Sequence, residues 1–315
     1  MMADSITMET LYRRLIKMGT AERNVPMKNY TTFKTGGLAD IVFCPGTREQ
    51  LRDALALMRA QSVPVTVIGG GSNLLVSDDG IRGVVVRLAC DNGRPGLIRL
   101  RGDELVCAGA EAGKREFVNF CLDAGLEGME FLAGMPGCIG GGIVMNAGTN
   151  MGTFADILET VEFLDGGGLV QTMEVTRDKA HYRKIDLGDD AIVLGGYFRL
   201  RRASDPDAAR NTVSRLISER GVKHPLGYPS AGSVFKNPDG YSSWKLINDA
   251  GLKGKRIGGA MVSELHTNFI INVDNATSED VRSLIVCVQN EVYARFGVRL
   301  EPEVSWWGNS EIREP

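Results

Sequence analysis

Apolar positions along the chain recur at two spacings, and each spacing predicts a set of elements. Residues 7–18 place Leu11, Leu15 and Met18 at helical intervals. "TREQLRDALALMRAQ" predicts a second helix, with Leu51, Ala54, Leu55 and Met58 on one face and Thr47 with Gln50 as a capping box. A third helix is predicted over 113–124, with Phe117, Phe120, Cys121 and Ala124 inward and Gly125 as its stop. Around these lie short β-rich runs divided by Gly and Asp turns, namely "VPVTVIGG", "GVVVRL", "LIRLRGDELVCAGA" and "VEFLDGGGLVQTMEV".

The pattern changes at "RRASDPDAARN". There the strands end, and a polar, Pro-containing junction opens a helix with Val213, Leu216 and Ile217 on one stripe. Beyond it "SWKLINDAGL" and "TSEDVRSLIVCVQNEVYARFG" read as helices. The second has Val281, Leu284, Ile285, Val288, Val292 and Phe296 at 3–4 spacing, Thr277 with Asp280 as its cap, and Gly297 as its end. "NFIINV" between them reads as a strand. Helices and strands thus alternate irregularly, which predicts an α+β protein with a domain boundary near residues 203 and 204.

Composition narrows the function classes. The 315 residues are 43% hydrophobic and 24% charged, enough for two or three cores. A net charge of -3, from 36 basic and 39 acidic residues, gives no support to a nucleic-acid partner. The six cysteines (44, 90, 107, 121, 138 and 287) form no C-x-x-C pair and mostly sit in apolar runs, which predicts reduced thiols and a cytoplasmic protein. With three histidines, no metal-ligand spacing occurs. The first residues do not read as a signal peptide, and no apolar run is long enough to span a bilayer.

Two glycine clusters remain. "VTVIGGGSNLLVSDDG" puts Gly69, Gly70 and Gly71 at the end of an apolar run. A doubly wound dinucleotide fold needs such a loop to open a long helix. Here Gly80, Gly83 and a β-branched run follow, and they forbid one. The backbone N–H groups from Gly69 through Ser72 to Asn73 can instead form a concave nest for a diphosphate between strands; a plain glycine-rich hairpin is the alternative. "LAGMPGCIGGGIVMNAG" adds Gly134, Gly137, Gly140, Gly141, Gly142 and Gly148. Two such loops in one strand-rich region point to a long ligand pressed close to backbone.

At this point the chain resembles a known family. "NYTTFKTGGLADIV", "GGGSNLLVSD", "AGMPGCIGGGIVMNAG", "SAGSVFKNP", "AGLKGKRIGGAMVSELHTNFIIN" and "LEPEVSWWG" occur in the order seen in UDP-N-acetylenolpyruvoylglucosamine reductases. These flavoenzymes make UDP-N-acetylmuramate for peptidoglycan. The resemblance implies an N-terminal helical segment (1–28) and a two-part FAD-binding domain of the vanillyl-alcohol-oxidase type (29–203, divided near 90). A smaller α/β domain for the UDP-sugar substrate would follow (204–315). It also implies non-covalent FAD, NADPH as co-substrate and a monomer. Gly69, Gly70, Gly71, Ser72, Asn73, Gly137, Gly140, Gly141, Asn146 and Gly148 would hold the FAD.

The chemistry behind the resemblance is a hydride addition that no side chain can supply, so a flavin recharged by a nicotinamide is needed. Hydride at the terminal enolpyruvyl carbon pushes charge onto the neighbouring carbon and its carboxylate. The site must hold that charge and return one proton to carbon. By resemblance Arg183 in "HYRKIDL" faces the substrate carboxylate or enolate, Ser233 in "SAGSVFKNP" donates the proton, and Glu303 in "LEPEV" assists. Glu301 and Glu303 are expected on one face of a strand. Lys236, Asn237 and Lys253 are the expected contacts to the UDP diphosphate or sugar. His266 is expected to be a hydrogen-bonded structural residue.

The chain departs from the family pattern at Ile185, Met261, Leu265 and in "NAGTNMG", which lacks the usual aromatic. About fifty residues separate Arg183 from Ser233, which resembles the compact subclass without an inserted tyrosine loop. Two rivals stand beside this reading. An oxidase of the same fold would have no use for the Arg183, Ser233 and Glu303 set, and a non-catalytic flavin or UDP-sugar binder would have no use for a proton donor.

Overall fold

The computed structural model describes residues 8–88 and 97–308. Its helices are α1 Met8–Leu15, α2 Arg48–Ala60, α3 Lys114–Asp123, α4 Ile139–Val144, α5 Pro206–Lys223, α6 Ser243–Asp249 and α7 Ser278–Phe296. Thr47 caps α2, its hydroxyl accepting from the Gln50 N–H at 3.2 Å. Leu11 and Leu15 of α1 are buried, whereas Met18 lies past that helix in a turn. Residue 7 and Cys90 lie outside the described residues. The other five cysteines are free thiols, Cys121 and Cys138 buried and the rest half-buried.

The chain forms two compact units. The first comprises the chain up to Ala21, Phe43–Gly70 and Val85–Glu219; the second comprises Glu22–Val42, Gly71–Val84 and the chain from Arg220. The last of the chain's passages between them falls inside α5, between Glu219 and Arg220. Ala209 and Val213 of α5 are buried in the first unit's core, Leu216 packs partly against it, and Ile217 is exposed.

A five-stranded antiparallel sheet organises the first unit, in the order Val170–Glu174, Leu158–Leu164, Ile192–Arg199, Leu105–Gly109, Ile98–Arg101. Period-two alternation sends Val106, Ala108, Val161 and Phe198 to one face. There they meet α3 through Phe117, Val118, Cys121 and Leu122, with Phe120 and Ala124 only half-buried. Phe198 takes the edges of Phe117 and Phe154, with centroids at 4.8 and 5.9 Å. Burial, with Glu130 nearby, pushes the Cys121 thiol pKa well up, so it packs as a small hydrophobe.

Helix α4 does not follow from periodicity, because three of its six residues are glycine. Each costs about 1 kcal/mol against alanine in a helix. Two of them make the packing possible: a Cβ on Gly140 would lie 2.8 Å from the Ala110 Cβ, and one on Gly142 would enter the Phe154 ring.

In the second unit α7 and α6 cover a three-stranded antiparallel sheet, Arg256–Ile257, Ala260–Val262 and Ile270–Asn272. Val281, Leu284, Ile285, Val288 and Val292 are buried, while Phe296 at the helix end is 40% exposed. The capping box is complete. The Asp280 N–H donates to the Thr277 hydroxyl and the Thr277 N–H to the Asp280 carboxylate, both at 3.0 Å. Gly297 closes the helix at φ +68°. Thr277→Ala is therefore expected to destabilise this unit by about 1 kcal/mol. A urea melt of the variant should show a lower midpoint with an unchanged slope.

Candidate active site

The two glycine loops meet inside the first unit. A Cβ on Gly70 would lie 2.7 Å from the Gly137 Cα, and one on Gly69 would strike the Cys138 sulfur. These glycines are therefore already required by loop-on-loop packing. Gly137 sits at φ +94°, which a side chain would strain. Gly141 differs. It is exposed, and only the Cys138 sulfur, at 3.9 Å, comes near the place its Cβ would take. Packing explains Gly140 and Gly142 but gives no reason for glycine at 141. A ligand drawn against the backbone there does.

Arg183 is brought to the same loop by a two-residue hairpin turn. Ala180 pairs with Ile185 and His181 with Lys184, leaving Tyr182 and Arg183 at the tip. Arg183 adopts φ +60°, a left-handed conformation that costs a non-glycine residue roughly 1–2 kcal/mol. Its guanidinium donates to the Gly148 carbonyl at 3.2 Å and lies 5.0 Å over the Tyr182 ring. Buried Asn146 secures the hairpin. Its side-chain NH2 donates to the His181 carbonyl at 3.0 Å, and its side-chain oxygen accepts from the Ala155 N–H at 3.0 Å. Asn146 and Gly148, expected as flavin contacts, thus also fix the arginine. Ile185, a departure from the family pattern, is buried beneath the hairpin.

The second unit assembles Ser233 and Glu303 with Asn73. An antiparallel bridge joins Ser233 to Phe269, and another joins Phe235 to Pro302. The Glu303 N–H donates to the Val234 carbonyl at 2.7 Å, and the Lys236 N–H to the Glu301 carbonyl at 2.9 Å. The Asn73 side chain donates to the Glu303 carbonyl at 3.0 Å, and the Ser305 N–H to the Asn73 carbonyl at 3.0 Å. Asn73 is therefore a fastener for the glutamate segment. From there Leu74–Val76 pairs in parallel with Ser305–Trp307. Gly71, at φ +63°, is held under the Tyr30 carbonyl and accepts from the Thr32 N–H at 3.1 Å, while Ser72 is half-buried beside it.

Residues 301–303 are not a regular strand, only Pro302 making an isolated bridge, and Glu301 is exposed whereas Glu303 is half-buried. Glu301 is ion-paired with Lys236. The Asn237 side chain accepts from the Ser243 N–H at 3.0 Å at the start of α6. Lys253 is exposed on a turn.

Among the described residues the buried Nδ1 of His266 has no hydrogen-bond partner, and its ring packs on Phe269 and His224 at 5.0 and 5.3 Å. His224 stacks on Phe269 at 5.0 Å. Burial, then the charges of Arg220, His266 and Lys223, push the His224 pKa down to about 4. The unfolded residue takes a proton near 6.5, so the fold is expected to lose stability as pH falls from about 6.5 to 4 and to be level above. His224→Gln should flatten that acid slope in urea midpoints measured at pH 7 and pH 5; an unchanged slope would place its origin elsewhere.

Comparison with known proteins adds the family. Residues 224–307 match the C-terminal domain of UDP-N-acetylenolpyruvoylglucosamine reductase, and residues 39–174 match an FAD-binding domain. A UDP-N-acetylenolpyruvoylglucosamine reductase of Geobacter metallireducens is 41% identical over 94% of this chain and 97% of its own. One from Caldanaerobacter subterraneus is 42% identical over 93% and 95%. The chain belongs to the UDP-N-acetylenolpyruvoylglucosamine reductase family. The crystal structure of the Thermus caldophilus reductase is similar throughout, with a TM-score of 0.78 at 35% identity, covering 92% of this chain and all of that one. The α+β architecture with an FAD-binding domain is the one expected for this reductase family.

Within that frame one supporting residue had no signal in the sequence. Lys114 opens α3 and reads there as a surface lysine, yet it is buried. Its ammonium donates to the Pro136 carbonyl at 3.2 Å and lies 5.9 Å from the Phe154 ring. Its stem passes 2.9 Å from where a Cβ on Gly142 would be. Lys114 and Gly142 fit together under the second glycine loop.

Proposed function

We propose that the chain reduces UDP-N-acetylglucosamine enolpyruvate to UDP-N-acetylmuramate with electrons from NADPH, in the synthesis of peptidoglycan precursors. The observation that carries this reading is the assembly of Arg183 on the second glycine loop and of Ser233 beside Glu303 in a chain of this family. FAD, when bound, supplies the hydride. The residues fit it: Gly141 offers a bare backbone, and Gly69, Gly70 and Gly137 abut without side chains. Gly69–Asn73, Gly137, Gly140, Gly141, Asn146 and Gly148 would hold it.

In this reading Arg183 takes the substrate carboxylate. A guanidinium suits two oxygens, and its hairpin and the Gly148 carbonyl fix its direction before substrate arrives. Holding the developing charge there lowers the barrier to hydride addition. Ser233 Oγ gives its proton to the neighbouring carbon, and Glu303 assists that transfer. Asn73 and the Val234 carbonyl hold the Glu303 backbone. With Lys236 already paired to Glu301, a lysine contact to the diphosphate requires exchange of partners at Lys236 or recruitment of Lys253.

A compact pocket without a tyrosine loop, a monomer and a reducing cytoplasm complete the proposal; the composition and the free thiols support the last. An anaerobic spectrum through one catalytic cycle tests it. Flavin absorbance should bleach with NADPH and return when the enolpyruvyl substrate is added. A yellow protein that recovers only with oxygen would be an oxidase, and one that cannot bind FAD would refute the proposal.

A further inference from the structure

The five-stranded sheet of the first unit has a second face, and it carries a cavity of about 350 Å³. That volume is at the lower end of small-molecule sites, roughly 300–1,000 Å³. Strand alternation separates it from the flavin loops. Ala108 and Ala110 point to the core, and Ala110 meets Gly140 of α4; Cys107 and Gly109, which alternate with them along the strand, point the other way.

Three features shape the cavity. First, Gly109 pairs with Gly195 across the ladder, so two neighbouring positions have no side chain of their own, and the Glu111 carboxylate takes the space over Gly109. Second, Tyr197, the next outward residue after Gly195 and paired with Cys107, stands at one side. Third, charged groups ring the opening. Arg99 and Arg101 come from the edge strand, and Arg48 reaches in from α2 to pair with Glu162 at 2.7 Å. Glu111 folds back so that its carboxylate lies 2.8 Å from the place of a Cβ on Gly109. Arg99, Arg101 and Glu111 have no ion-pair partner among the described residues. A patch that served only solubility would need neither a hollow floor nor an inward-folded carboxylate.

We propose that this cavity is a second ligand site, for a nucleoside monophosphate whose base carries an exocyclic amino group. The base lies against Tyr197 over the Gly195 backbone, edge-on to the Glu111 carboxylate that covers Gly109. Its amino group donates to the Glu111 carboxylate, and the phosphate sits between Arg99 and Arg101 in charge-assisted hydrogen bonds. The site is independent of the substrate and of the catalytic residues, so its occupant acts as a regulator or a passenger and not as a reactant.

Calorimetric titration of the FAD-loaded protein with AMP at low salt tests this. AMP is expected to bind with flavin absorbance unchanged, to weaken as salt rises, and to be undisturbed by saturating UDP-N-acetylglucosamine. Arg99→Ser with Arg101→Ser should weaken it by roughly tenfold or more while flavin content and reductase turnover stay at wild-type values. Glu111→Gln should bring AMP and IMP, which differ at the amino group, to similar affinity. No binding to the loaded protein, equal affinity in the double arginine variant, competition by the UDP-sugar, or inorganic phosphate binding as tightly as AMP would each overturn the proposal. The arginines are exposed, so the double variant is expected to fold; a normal flavin spectrum verifies that it has.

Discussion

Ser233→Ala is expected to slow reduction of UDP-N-acetylglucosamine enolpyruvate by about 10²-fold or more, the scale of general acid catalysis. Bleaching of the flavin by NADPH should stay near its normal rate. The asymmetry follows from where the proton is needed, since only the substrate half of the cycle protonates carbon. The surrounding frame should survive the change. Backbone bridges hold this segment, and buried Asn268 accepts from the Phe235 N–H at 3.0 Å and donates to the Phe235 carbonyl at 2.9 Å. The serine hydroxyl has no part in those bonds. Stopped-flow measurement of the two half-reactions decides the matter: equal loss in both would make Ser233 a structural residue, and no loss would move the acid elsewhere.

The second large effect is expected at the glycine loops, where two substitutions should separate packing from ligand approach. Gly70→Val must push the first loop off the Gly137 backbone, because its first side-chain carbon already falls at 2.7 Å. That variant is expected to purify without flavin and with lowered stability. Gly141→Ala adds a carbon at ordinary contact distance, 3.9 Å, from the Cys138 sulfur and removes a helix glycine, so the protein part should gain up to about 1 kcal/mol. In the proposed reading its methyl would stand where a bound flavin approaches, so flavin retention should fall. Melting temperature and flavin-to-protein absorbance ratio, measured together, distinguish the cases. A stable, fully yellow Gly141→Ala protein would count against the cradle on α4.

Much of this architecture is legible from residue spacing, and the failures have physical causes. Helices α2, α3 and α7 announce themselves through an apolar stripe and a capping or stop residue, all local properties. Helix α4 hides because glycine propensity opposes it, and only the Phe154 ring and Ala110, distant in sequence, favour it. The Arg183, Ser233 and Glu303 set was visible only as parts of matching sequence blocks. Nothing in the spacing alone shows that Asn146 secures the arginine hairpin or that Asn73 fastens the glutamate segment. Asn237 carries the same lesson in small: a polar residue beside a catalytic block suggests a substrate contact, and the structure uses it to receive an N–H of the next helix. Lys114 is the sharpest case, since burial of a lysine depends on a missing side chain at Gly142.

The tip of the Arg183 hairpin has a consequence for how this sequence can change length. Its two-residue turn sets which way every side chain between Ala180 and Ile185 points, and one extra residue would rotate the guanidinium to the opposite side. The Asn146 anchor on the His181 carbonyl would be lost in the same step. Insertions and deletions in descendants of this chain should therefore be barred from residues 180–185. They should collect just beyond, at Gly188, Asp189 and Asp190, where the chain is exposed and a Cβ on Gly188 would meet nothing within 4 Å.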